Sequence, residues 1–207
     1  MIWTFVCSAL VYGLAVDLCC LFFRQWEPLA CTGAGAMAAL PVLLRLYTRK
    51  TDKKNPPFRI GKKEAGFLIL SGIAACLTVN TLIKISRISA VFPGFSMKSG
   101  DFYGPSLKLQ VWAMGVVIPA AEEVIFRGLG FRGMREKMGF FASALWSSAL
   151  FACWHGNVVQ GIYGFCMGFV FSWAMERDDT IFAPILMHMV ANLVSVALTA
   201  LGVCGRN

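Results

Sequence analysis

The stretch VWAMGVVIPAAEEVIFRGLGF, residues 111–131, has the length and apolarity of a membrane-crossing helix, yet it carries Glu122, Glu123 and Arg127. A carboxylate near the centre of a bilayer costs about 2.5–3.5 kcal/mol even on insertion-based scales, so two adjacent ones call for a reason other than packing. The sequence holds only two histidines, His155 and His188, and both fall in later apolar segments. Two acids and every histidine set among hydrocarbon-like residues point to a polar site enclosed in a membrane protein.

Outward from this stretch, apolar runs recur at roughly 2–23, 28–46, 65–83, 107–131, 140–158, 161–176 and 180–203. Spanning about 30 Å of hydrocarbon takes about 20 residues of helix. Strand-like alternation is absent, and lipid admits only helices or closed barrels. The expected fold is all-α: a polytopic transmembrane bundle of about seven helices, forming one integral membrane domain over 1–207, with an active site within the membrane. Of its 207 residues 57% are apolar and 14% charged, far below the roughly 25% charged of soluble proteins.

The formal charge of +8 does not point to nucleic acid, because the basic residues gather in loops between apolar runs, as the positive-inside bias requires. The connection 45–64 alone has eight Lys or Arg against two acids, and it contains Pro56-Pro57. Placing it in the cytoplasm puts the N-terminus inside, the loops 132–139 and 176–179 inside, and the 84–106 connection outside. The latter mixes aromatic, Gly and Pro residues and reads as an interfacial loop, a lid or a plain connector. The eight cysteines, Cys204 among them, show no metal-type spacing and read as small buried hydrophobes.

Three patterns carry chemistry. Glu123 and Arg127 are four apart on one helix face with the acid first, the favourable order for a pair, while Glu122 points about 100° away. This suggests that Glu123 and Arg127 lock each other and leave Glu122 reactive. Ser147, Phe151 and His155 recur every four residues, so Phe151 packs beside the imidazole. His188 and Asn192 are likewise four apart, and Ser195 and Thr199 extend their stripe, these last two as interhelical hydrogen-bonding groups. A carboxylate and an imidazole can hold a water and remove its proton, and a second His with an Asn amide can stabilise an oxyanion. The same Glu122, His155 and His188 form a ligand set for catalytic zinc, and the sequence leaves both mechanisms open. There is no HExxH, no GxSx and no pair of intramembrane aspartates.

EExxxR, FxxxH and HxxxN, in this order on three late helices, resemble the CPBP family, which comprises CAAX prenyl endopeptidases and bacterial intramembrane proteases linked to bacteriocin processing or self-immunity (the Abi family). The resemblance covers residues 105–203, the expected catalytic core. It implies an intramembrane endopeptidase acting on a peptide or membrane-protein substrate in the bilayer, here a bacterial cytoplasmic membrane. It also implies that Glu122 and His155 activate water, that His188 and Asn192 stabilise the oxyanion, and that Glu123 and Arg127 support them. Zinc is the one cofactor it leaves open. Two other readings stand beside it: a proton-coupled transporter using Glu and His as a relay, and a non-catalytic peptide-binding immunity protein.

Counted from the inner helix ends at 1.5 Å per residue, Glu122, His188 and His155 lie roughly 15, 12 and 22 Å deep. The excess for His155 implies either that its helix starts outside the hydrocarbon, near residue 144, or that the helices tilt. A shared site opening toward the cytoplasmic half is predicted.

Overall fold

The computed structural model describes residues 2–49, 60–92 and 103–202. It is an all-helical bundle: α1 (Ile2–Phe22), α2 (Pro28–Thr48), α3 (Lys62–Ser86), the single turn α4 (Ile88–Val91), α5 (Leu107–Arg135), α6 (Phe140–Trp154), α7 (Val158–Asp178) and α8 (Phe182–Ala200). Six of these are long and apolar enough to cross a membrane, and α6 is the shorter exception. The protein is an integral membrane protein. Residues 93–102 of the 84–106 connection, residues 50–59 of the 45–64 loop, and Cys204 lie outside the described residues.

The burial pattern fits a bundle solvated by lipid. Leu10, Leu14 and Leu21 on α1 and Leu70 and Leu82 on α3 are exposed, as apolar side chains facing hydrocarbon can be. α5 is the central element, far more buried than any other span, and α1, α2, α6, α7 and α8 all pack on it. α2 meets its neighbours through small residues, Gly33, Gly35, Ala36 and Ala39, the usual means of bringing helix backbones close where lipid supplies no hydrophobic drive.

The expected seventh span, 140–158, is corrected. α6 ends at Trp154 because Gly156 adopts the left-handed φ of 58° and Asn157 then caps α7, its Oδ1 accepting from Val159 N at 3.0 Å and Gln160 N at 3.2 Å. Fifteen residues make about 22 Å of helix, short of a full crossing. His155 therefore sits in the turn that follows α6, within the bundle.

Arg132 reaches the hydroxyl of Tyr47 at 3.1 Å and pairs with Asp179, and Arg135 pairs with Glu176 at 2.7 Å. The ends of α2, α5 and α7 thus meet at one end of the bundle. This agrees with threading the 45–64, 132–139 and 176–179 connections on a common side. These pairs are half-exposed and contribute little stability singly.

A Cβ built on Gly35 would stand 2.5 Å from Val16 Cα, so Gly35→Leu must push α1 off α2. Overpacking of this kind costs about 1–3 kcal/mol. Gly66, on α3, has no neighbour within 4 Å of such a Cβ, and Gly66→Ala should be neutral or gain up to about 1 kcal/mol of helix propensity. Thermal unfolding in detergent, followed by circular dichroism, should show a fall for the first and none for the second.

Candidate active site

α5 is not a regular α-helix. Residues 113–117 and 124–131 are π-helical turns flanking the α-helical turn Ile118–Glu123 that carries both glutamates. Such turns widen a helix, release backbone carbonyls from the α pattern and recur at functional sites.

The adjacent glutamates have different surroundings, as the 100° offset implies. Glu123 is fully buried, and its Oε1 accepts from Arg127 Nη1 at 3.2 Å and from His188 Nδ1 at 2.8 Å. Glu122 lines a cavity instead, with its Oε2 3.9 Å from His188 Nε2. Glu123 therefore does more than lock Arg127. It also fixes the orientation of His188, which places Nε2 beside the other glutamate. Arg127, with no exposed surface, lies over the rings of Phe151 (4.3 Å) and Phe171 (5.4 Å), cation–π contacts suited to a desolvated guanidinium. Its Nε and Nη2 and Glu123 Oε2 find no hydrogen-bond partner among the described residues.

His155 Nδ1 lies 2.8 Å from the Phe151 carbonyl, which can only accept. Nδ1 thus carries the proton, and Nε2 of the neutral ring is an acceptor. Phe151 packs edge-on against His155 with centroids 4.7 Å apart, as the four-residue spacing predicted, and it also meets His188 at 5.7 Å. Phe171 stacks on the other side of His188 at 4.8 Å. Gly164 and Gly168 pack within the chain: a side chain at 164 would meet the His155 ring at 3.1 Å, and one at 168 would collide with Arg127 Nη2. The α7 GxxxG is thus the surface that admits the site.

Asn192 Nδ2 donates to the Met114 carbonyl at 2.9 Å, across from α8 to the first π turn of α5. Ser195 makes the interhelical contact expected of it, its Oγ lying 3.5 Å from Cys76 Sγ on α3. Thr199 does not: its hydroxyl donates to Ser195 O of its own helix at 2.9 Å, the local bond that Ser and Thr favour in apolar helices.

Glu122, His155, His188 and Asn192 all line one cavity of about 560 Å³. Its remaining wall comes partly from elements without a sequence motif: Tyr12 and Asp17 of α1, Thr32 of α2, Asn80 of α3, and Gln160 and Tyr163 of α7. No periodic signal marked these residues, because they are scattered over several otherwise lipid-compatible helices rather than repeated along one. The lining is displaced from the end of the bundle where the 132–139 and 176–179 connections meet. It runs from Glu122 and His188 in mid-bundle toward the start of α7, the end of α3 and Tyr103, away from the end where Arg132 and Arg135 sit.

Among the described residues no group of three or more His, Cys, Asp or Glu side chains comes together as a metal-holding set. Glu122, His155 and His188, the ligands a zinc ion would use, share the cavity without converging on a point, so this arrangement does not fit the ion.

A family model described as type II CAAX prenyl endopeptidase Rce1-like matches residues 104–194, the region that carries all three motifs. The protein named "Putative membrane peptidase YdiL" of Bacillus subtilis (strain 168) is 31% identical over 93 residues, which cover 45% of this chain and 38% of that protein. No solved structure gives a significant match. A polytopic helical membrane protein with a buried carboxylate–histidine cavity is the class that fold and site define. Over residues 104–194 the chain is similar to these CAAX-type membrane peptidases, and it spans well under half the length of the Bacillus protein.

The ion pair at the base of the site has a measurable signature. Arg127→Met alone strands the Glu123 charge and should cost about 3–5 kcal/mol, whereas Glu123→Gln combined with Arg127→Met should recover most of that loss. Melting temperatures in detergent of the single and double variants check this.

Proposed function

We propose that this chain is an intramembrane endopeptidase that hydrolyses a peptide bond in a membrane-associated substrate. The observation that carries the reading is the convergence of Glu122, His155, His188 and Asn192, from two separate helices and a turn, on one cavity inside a membrane protein. Their hydrogen-bond roles support it. The Glu122 carboxylate and the acceptor Nε2 of His155 together can hold a water and take its proton. The attacked carbonyl then becomes an oxyanion, for which the second amide hydrogen of Asn192 and a protonated His188 Nε2 are the donors.

Glu123 and Arg127 cancel each other's charge, and Glu122 Oε2 faces His188 Nε2 at 3.9 Å, so the proposed base and oxyanion donor stand side by side. No step requires a metal, and we assign the chemistry to the glutamate.

The basic 45–64 loop supports a cytoplasmic N-terminus and insertion in a bacterial cytoplasmic membrane. With that orientation the cavity faces the outer half of the bilayer. Substrate bonds within reach would lie there.

Purified protein in detergent or liposomes, incubated with a panel of membrane peptides, tests the reading. Glu122→Gln and His155→Ala should each lower cleavage by about 10²–10⁴-fold, the usual worth of a general base, with little change in melting temperature. Cleavage should also survive stringent chelation with the bound metal quantified. Variants that cleave as well as the parent would overturn the assignment.

A further inference from the structure

The Met114 carbonyl is an acceptor that the helix itself cannot satisfy. In the first π turn of α5, Ile118 N–H donates to Ala113 O, five residues back. The next donor in that register would come from residue 119, which is Pro119 and has no N–H. Met114 O is thereby left for a side chain, and Asn192 Nδ2 takes it at 2.9 Å. A proline inside a membrane helix is tolerated where neighbouring groups re-satisfy the released backbone, and here a residue of the cavity wall does so.

We propose that Pro119 is a positioning residue for Asn192: by withholding a backbone N–H it keeps the Met114 carbonyl open as the anchor that orients the Asn192 amide toward the cavity. The inference rests on the endopeptidase reading for its catalytic consequence, though its structural half stands apart from it. The torsion that turns an Asn amide is broad and weakly constrained by the side chain itself. One hydrogen bond to a rigid backbone acceptor removes that freedom. Because the amide group is planar, it also fixes the direction of the second N–H. A preorganised donor stabilises developing charge without reorganising during the reaction, which is where such donors gain their effect.

The test compares full-length Pro119→Ala, Asn192→Ala and the double variant with the parent. An alanine at 119 returns an N–H to the helix that competes with Asn192 for Met114 O. Against a membrane peptide that the parent cleaves, Pro119→Ala should lower kcat by about 10–100-fold, a part of the 10²–10³ that a lost oxyanion donor costs, with KM within about twofold. The double variant should fall no lower than Asn192→Ala. Unchanged kcat in Pro119→Ala, or losses that multiply in the double variant, would overturn the proposal.

Two readouts do not depend on cleavage. The chain has five asparagines, so selective ¹⁵N-Asn labelling can follow the Asn192 side-chain amide, which should exchange faster in Pro119→Ala. Unaltered exchange would count against the anchor. Adding Pro119→Ala to Asn192→Ala should also raise the melting temperature, since it returns a donor to an orphaned carbonyl. A double variant no more stable than Asn192→Ala would refute the anchor whatever the protein cleaves. If no peptide is cleaved by the parent while both structural readouts behave as expected, the anchor stands and the endopeptidase reading fails.

Discussion

The hydrogen bonds that converge on Glu123 Oε1, one from Arg127 and one from His188, are the constraint on which the rest of the bundle depends. An ionised group in a low-dielectric interior is costly unless its charge is cancelled and its lone pairs are used. Glu123 and Arg127 cancel each other, but their geometry leaves Glu123 Oε2 and two guanidinium nitrogens unpaired. What compensates is aromatic: Phe151 and Phe171 lie beside the guanidinium and also hold His188 between them. The same rings that make Arg127 tolerable thus set the plane of an imidazole. Stability and positioning cannot be assigned to separate residues here.

From that centre the packing of the surrounding helices follows. α7 can approach α5 only because position 168 has no side chain to strike Arg127, and α6 can place His155 in its turn only because position 164 is also glycine. Ser147 adds a second tie between α6 and α5, donating to the Phe126 carbonyl at 2.8 Å in the wider π turn. At the far end of α5 the Arg132 and Arg135 pairs hold the helix ends together but contribute no group to the cavity. The buried and half-exposed charges of one helix therefore serve different purposes, and depth decides which.

Much of this was legible in the sequence because membrane helices obey coarse rules. Run lengths near 20 residues placed the spans, and four-residue spacing placed Glu123 with Arg127 and Phe151 with His155. All four residues expected to act together do line one cavity. What the spacing could not convey was departure from the regular α-helix. The two π turns of α5 change which carbonyls are free, and nothing in a 3.6-residue periodicity signals them. The early end of α6 was equally hidden, because Gly156 and Asn157 lie in a run that still reads as apolar. Reading His155 as mid-helix hid the turn that carries it into the cavity. Tyr12 and Asn80 could not be found from pattern at all, since single polar residues acquire meaning only from what the fold sets opposite them.

The resemblance of the EExxxR, FxxxH and HxxxN region to known peptidases makes a chemical claim only if the groups are free to act, and here the hydrogen bonds discriminate. Both histidines use Nδ1 to fix themselves, one on a backbone carbonyl and one on a carboxylate. The consequences differ because the acceptors differ. A neutral carbonyl leaves His155 with a basic Nε2 and no counter-charge, the state suited to receiving a proton. A carboxylate holds His188 instead and leaves its Nε2 3.9 Å from Glu122 Oε2. The proposed division into a base and an oxyanion donor thus rests on what each Nδ1 touches, although the two side chains are identical.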